Sequence, residues 1–261
     1  MNRYSLFPVL LSFIISANIL SAQNSYNLKQ ALNESGDFIE RPLNWKAEDW
    51  GKAGFVGLAA YLLMNLDEPV RNEIMKDRSF EKSIPIEAGR IWGEWYTSPI
   101  IAGLFALHGI SNNNSQSKKI GFEIFESAVL TSGSIGIIKL GFGRSRPYMN
   151  KGAFDFNPIS FADYDHRSFP SGHTGIAFSL STVLSQNSKS DLVKVLVYIP
   201  AFATALSRIY DDEHWLSDTF LGAAIGYFVG KWVCDIHKSN ESNDFRNSVQ
   251  NNQLIVFSIP L

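Results

Sequence analysis

Three short clusters in this sequence hold residue types that bind anions and move protons. Lys139 is followed closely by Arg144, Arg146 and Pro147. Pro170, Ser171, Gly172 and His173 run in succession. Ser207 and Arg208 precede His214, and Asp218 lies four positions beyond that histidine. The net charge of the whole chain is only −2, so cations gathered at these points are a local feature with a local purpose, and binding an anion is the purpose they suit. An arginine fork donates paired hydrogen bonds to a tetrahedral oxyanion. A Ser-Gly pair at the start of a helix leaves backbone N–H groups free, lets a ligand approach closely, and adds the favourable end of the helix dipole. His214 and Asp218 share one face if the segment is helical, so the carboxylate can fix the tautomer of the ring and leave its other nitrogen free. Of two histidines beside one phosphate, one can attack phosphorus and the other can protonate the departing oxygen.

The segments that must position these residues are apolar and long. Six stand out: 53–66, 98–110, 120–140, 171–184, 192–206 and 219–233. They are rich in Ala, Leu, Ile, Gly and Phe and too long for ordinary strands, which predicts an all-α bundle of about six helices with the clusters at one end. Polar loops are expected over 67–90, 111–119, 144–169, 185–191 and 209–217. A polar N-terminal segment is read over 23–50, a helical domain over 51–238, and a polar tail over 239–261, with alternation suggestive of a strand only at 254–259. Residues 1–22 read as an export signal, with Arg3 ahead of an apolar run from Leu6 to Leu20 and small residues at Ser21 and Ala22. The single cysteine, Cys234, allows no internal disulfide.

Whether these helices cross a membrane or form a buried core is left open by their length, since a span needs about 20 predominantly apolar residues. Glu123 and Glu126 interrupt the third segment and Lys194 the fifth. If the segments do span, Lys118, Lys119, Lys189, Lys194, Lys231 and Lys238 fall on one side and the three clusters on the other, as the positive-inside rule requires. A cleaved signal followed by six true spans would put the clusters inside. The expectation is therefore that 53–66 does not cross, or that the domain is soluble, with the clusters outside in either case.

Taken together, Lys-x6-Arg-Pro, Pro-Ser-Gly-His and Ser-Arg-x5-His-x3-Asp resemble the signature of the type 2 phosphatidic acid phosphatase superfamily, over about residues 95–235. That superfamily includes lipid phosphate phosphatases, class A bacterial acid phosphatases and vanadium-dependent haloperoxidases. The resemblance implies a phosphatase in which His214 is the nucleophile, Asp218 orients it and His173 is the general acid. It implies that Lys139, Arg146 and Arg208 hold the phosphate oxygens, helped by Ser171 and the backbone of Gly172. It implies a phosphorylated lipid, a prenyl pyrophosphate or a small phosphate ester as substrate, and an exported site in the periplasm or on the periplasmic side of the inner membrane. No nucleic-acid partner and no cofactor are expected, and no cluster of carboxylates and histidines shows metal-ligand spacing along the sequence. Arg144 reads equally as a further phosphate contact or as a solvated helix-end charge. His166 and Arg167 are assigned no role, and His108 and His237 are placed outside the chemistry. A vanadate-dependent haloperoxidase and a non-catalytic phosphate- or lipid-binding module are the alternatives.

Overall fold

The computed structural model describes residues 26–159 and 163–253. The export signal read over 1–22 and the strand-like alternation at 254–259 lie outside the described residues. The architecture is all-α: α1 (Leu28–Glu40), α2 (Ala47–Lys76), α3 (Ile84–Trp92), α4 (Thr97–Ser111), α5 (Ser115–Phe142), α6 (Gly172–Asn187), α7 (Asp191–Leu196), α8 (Ile199–Tyr210) and α9 (Leu216–Gln253). Among the described residues there is no strand, only an isolated bridge between Arg144 and Phe156.

Each of the six apolar segments is helical, with the fifth broken into α7 and α8 just ahead of Pro200. Three regions differ from the sequence reading. The polar stretch 23–50 contains α1, capped by the Asn27 side chain, which accepts from the Gln30 N–H. The loop expected over 67–90 is mostly helix, because α2 runs on to Lys76 and α3 begins at Ile84. α9 continues to Gln253 across the stretch read as a polar tail. Tertiary contact explains the first two departures. Glu34 of α1 and Asp67 of α2 are both buried against partners far away in sequence, which local polarity could not reveal.

The bundle is organised on α6, which packs against α9, α5 and α8, while α4 lies on α5, α3 on α8 and α2 on α9. The α6–α9 seam is the closest approach, and glycines make it. A Cβ at Gly222 would stand 2.3 Å from the Ser171 carbonyl oxygen, and one at Gly226 only 2.1 Å from that of Gly175. One turn further on, a Cβ at Gly230 would meet the Ser179 carbonyl oxygen at 2.9 Å. The spacing of four keeps all three on one face of α9.

Among the described residues, two stretches, α5 (115–142) and the α7–α8 run (191–210), are long and apolar enough to cross a membrane, and 97–111 is a shorter apolar helix. Large apolar side chains also cover the outside of the bundle, among them Phe55, Leu58 and Leu62 on α2, Leu104 and Leu107 on α4, and Ile199 and Phe202 on α8.

The seam makes a paired prediction. Gly226→Ala drives a methyl group into backbone that cannot yield without separating α6 from α9, and should destabilise by about 1–3 kcal/mol. Gly133→Ala on α5, where nothing lies within 4 Å, should be neutral or stabilising by up to about 1 kcal/mol. Thermal melting of the two variants checks this, and equal midpoints would contradict the close-packed seam.

Candidate active site

Local structure explains how each cluster reaches the same end of the bundle. α5 stops at Gly143, which adopts the left-handed conformation (φ 57°) and returns its N–H to the Lys139 carbonyl. No other residue fits there, since a Cβ would stand 1.8 Å from the Asn157 carbonyl oxygen. Lys139 is thus in the last turn of α5, and Arg146 follows just beyond the stop. Ser171 caps α6, with its Oγ facing the Thr174 N–H and the Thr174 hydroxyl donating to it at 3.0 Å. Gly172 opens that helix beside the Lys139 side chain, whose Cε would lie 4.0 Å from a Cβ at this position. The Ser171 N–H donates to the Asp218 carbonyl at 2.9 Å, which joins the start of α6 to the start of α9. Arg208 is in the last turn of α8, and its carbonyl accepts the His214 N–H at 3.2 Å.

The structure therefore brings Lys139, Arg146, Ser171, Gly172, His173, Arg208, His214 and Asp218 to one end of the bundle. Protein groups tie down each of the cations. Lys139 donates to the carbonyls of Arg167 and Ser168. Arg146 pairs with the Glu213 carboxylate and stacks on Tyr164, with its guanidinium 4.1 Å from the ring centre. Arg208 pairs with Asp211, which also takes Arg90 at 2.9 Å, while the buried Arg208 Nε has no hydrogen-bond partner. A cavity of about 380 Å³ opens against Arg208 and is lined also by Arg90, Glu94, Asp211 and Glu213.

The two histidines differ in setting. His214 is buried, and its Nδ1 lies 3.6 Å from Asp218 Oδ2. That is longer than a hydrogen bond, as catalytic contacts often are before substrate binds. Burial, with Lys139 and Arg146 nearby, holds the His214 ring well below its ordinary pKa despite the Asp218 carboxylate. His173 keeps a third of its side chain exposed, with Nε2 3.7 Å from Glu94 Oε2. Burial of the remainder, then the charges of Arg208, Arg146 and Lys139, push it down to about 3. All three cations are therefore within electrostatic reach of His173.

Arg144 proves to be neither a phosphate contact nor a solvated charge. It is fully buried, giving Nη1 to Asp218 Oδ1 and to Ser217 Oγ, both at 2.7 Å, and Nη2 to Asp67 Oδ2 at 2.7 Å. Its Nε donates to the Ala153 carbonyl at 2.8 Å, and Phe156, Phe169 and Trp215 surround the guanidinium. Asp67 in turn accepts the Ser217 N–H at 2.8 Å and its hydroxyl at 2.6 Å. Asp218 Oδ2 accepts the Trp215 N–H at 2.9 Å and the Ser168 hydroxyl. Burial alone would raise the Asp218 carboxyl; Arg144, then His214 and Ser168, outweigh it and hold the group at about 2. Asp67, Glu94, Ser168 and Glu213 were not legible as site residues. The only sequence signal was the placement of Asp67 at the end of an apolar run. His166 turns aside to Asp163.

Residues 121–242 match the PAP2 superfamily. A lipid A 1-phosphatase of Porphyromonas gingivalis is 34% identical over 113 residues, 41% of this chain and 24% of that protein. A PA-phosphatase related-family protein of Dictyostelium discoideum is 30% identical over 159 residues, 53% of this chain and 58% of that protein. The alignments thus span a quarter of the first relative and under two thirds of the second. No solved structure matches the chain.

Two predictions follow from the geometry. Arg144→Ala strands two buried carboxylates, a change worth about 3–5 kcal/mol, and should lower the melting midpoint far more than Arg146→Ala, whose partner Glu213 reaches solvent. Comparable midpoints for the two variants would refute the structural role of Arg144. The second concerns pH. His173 titrates near 6.5 when unfolded and near 3 when folded, so between those values the unfolded chain binds more protons and stability falls as pH drops. His214 adds a term of the same sign. Melting in phosphate-free buffer from pH 7 to pH 4 should show a shallower decline for His173→Asn than for the parent, and parallel curves would refute it.

Proposed function

We propose, since the chain belongs to the PAP2 superfamily through residues 121–242, that it is a phosphatase acting on a phosphorylated lipid by way of a phosphohistidine. The observation that carries this is the arrangement of Lys139, Arg146 and Arg208 around two histidines, one of them backed by a carboxylate held ionised at the centre of a buried ion-pair network. Phosphoryl transfer asks a protein chiefly for positioning and charge stabilisation, and three cations with the N–H groups at the start of α6 can supply both.

In the proposed reaction the phosphate displaces the protein carboxylates and carbonyls that occupy the cations. His214 Nδ1 faces Asp218, so Nε2 is the attacking atom. Its lone pair forms the N–P bond while the P–O bond to the leaving group breaks, and that oxygen takes the proton of His173. Water then attacks the phosphohistidine, giving its proton back to His173 and releasing inorganic phosphate and free His214. Burial and then the charges of Arg208, Arg146 and Lys139 hold the His173 pKa down to about 3, and a bound phosphate dianion would offset those charges and favour the protonated ring.

The lipid assignment is supported by the apolar exterior of the bundle and its two span-length helices, and by the printed activity of the Porphyromonas gingivalis relative. The proposal puts the active-site end on the outer side of the membrane. In support, Lys118 and Lys119 lie at the opposite end of α5 from Lys139, and Lys189 follows the far end of α6 from His173.

The test separates the histidines. His214→Ala should abolish turnover on every substrate, together with any acid-labile phosphoprotein. His173→Ala should lose about 10²–10⁴-fold more on an alkyl or lipid phosphate than on p-nitrophenyl phosphate, whose leaving group scarcely needs a proton. Measured kcat/KM values with a substrate-independent loss at His173 would remove it from the acid role. Full activity in His214→Ala would end the mechanism.

A further inference from the structure

At the other end of the bundle, three helices bring acidic groups and a histidine together in the interior. Glu34 of α1, Glu126 of α5 and His237 of α9 are all buried, and one ligand atom from each lies within 4.8 Å of the other two. His237 is about 28 Å along α9 from Asp218 at 1.5 Å per residue, so this cluster is remote from the phosphate site.

Three features distinguish it from a plain acidic patch. The carboxylate of Glu126 is 97% buried, and neither of its oxygens has a hydrogen-bond partner. A carboxylate that has left water without acquiring donors is costly unless a charge stands close to it. Second, His237 is oriented as a ligand. Its Nδ1 meets Glu123 Oε1 at 3.1 Å, and its Nε2 faces Glu34 Oε2 at 3.2 Å and Glu126 Oε2 at 3.5 Å; with an ion bound, the proton would stay on Nδ1 and Nε2 would be the ligand atom. A second carboxylate behind a ligating histidine is the usual outer support of a metal site. Third, the separations fit. Two donors on a tetrahedral ion with bonds of about 2.0–2.1 Å stand about 3.3 Å apart.

Charge points the same way. Three buried carboxylates, Glu34, Glu123 and Glu126, crowd this part of the interior, and Lys119 Nζ lies 4.0 Å from Glu123. Gln30 holds Glu34 Oε1 at 3.0 Å and Asn187 holds Glu123 Oε2 at 2.5 Å, so the carboxylates are themselves positioned. Tyr26 and Phe122 pack on the His237 ring, each with centroids 5.6 Å away, and shield the group from water.

We propose that Glu34, Glu126 and His237 bind a divalent transition-metal ion of the Zn²⁺ type, which fastens α1 to α5 and α9. One nitrogen and two carboxylate oxygens suit Zn²⁺ better than Mg²⁺ or Ca²⁺, which prefer oxygen alone.

The test uses the full chain, purified, stripped with a chelator, reloaded with Zn²⁺ or Co²⁺ and desalted. The expected result is about one Zn²⁺ per chain, visible absorption from tetrahedral Co²⁺, and a melting midpoint that rises with Zn²⁺. Glu126→Gln should retain at least tenfold less metal and lose the Zn²⁺-dependent rise in midpoint. It keeps the side chain's shape and removes a buried charge, so it tests the site even if His237→Ala does not fold. His214→Ala should retain the metal, which separates this site from the phosphatase reading. A parent chain that keeps less than a tenth of an equivalent, or a Glu126→Gln chain that binds as the parent does, would overturn the proposal and leave a cluster neutralised by protons alone.

Discussion

A guanidinium with no access to water sits between two carboxylates, and the end of the bundle that carries the candidate site is built around it. Arg144 comes from the loop after α5, Asp67 from α2 and Asp218 from the first turn of α9. Ions buried in this way are tolerated only when every donor and acceptor is matched. Here Arg144 also uses the Ala153 carbonyl and the Ser217 hydroxyl, and Asp67 uses the Ser217 N–H. The consequence for chemistry is positional. Asp218 is held by Arg144 on one oxygen and by the Trp215 N–H and Ser168 on the other, so the carboxylate cannot swing away from His214. The same network keeps it ionised, and only an ionised carboxylate can steady a positively charged imidazole.

The glycine seam provides the second constraint. α6 carries Ser171, Gly172 and His173 at its start, and α9 follows directly on His214 and carries Asp218. If the two helices packed at an ordinary separation, those groups would be several ångströms further apart. Gly222 removes a Cβ that would strike the Ser171 carbonyl itself, so the seam begins at the cap that offers its N–H groups to an anion. Packing and recognition are thus the same contact viewed from two sides, and a loss of closeness at Gly226 propagates to the geometry of His173 against His214.

What could be read from the sequence divides along the same lines. The six apolar segments and the three clusters announce themselves because their periodicity and spacing are local. Gly143 ending α5 and Ser171 starting α6 are local signals too. The burial of Arg144 is not legible because a charge at a helix end is ordinarily solvated and its partners Asp67 and Asp218 lie 77 and 74 residues away. Glu34 belonged to a stretch that looked merely polar. Its burial depends on His237, 203 residues further on, and no window along the chain could join them. For the same reason a ligand-like group of Glu34, Glu126 and His237 had no spacing to recognise. Such residues become legible only when the helices that carry them are packed.

The electrostatics of the site bear on why the cations and histidines are placed together at all. Burial, then the charges of Arg208, Arg146 and Lys139, lower the affinity of His173 for a proton, so protein groups alone hold the group proposed as the acid uncharged. Glu213 and Asp211 partly balance the arginines in that state, but neither carboxylate has displaced the effect at His173. A phosphate dianion brings more charge, and brings it to the centre of the three cations. On the proposed chemistry, binding then does two things at once. It releases the arginines from their protein carboxylates, and it makes protonation of His173 favourable next to the oxygen that has to leave. An anion lacking the second negative charge would do the first of these less well and the second hardly at all. On the proposed chemistry, a preference for a terminal phosphate over a diester would arise from the field at His173, before any contact with the rest of the substrate is considered.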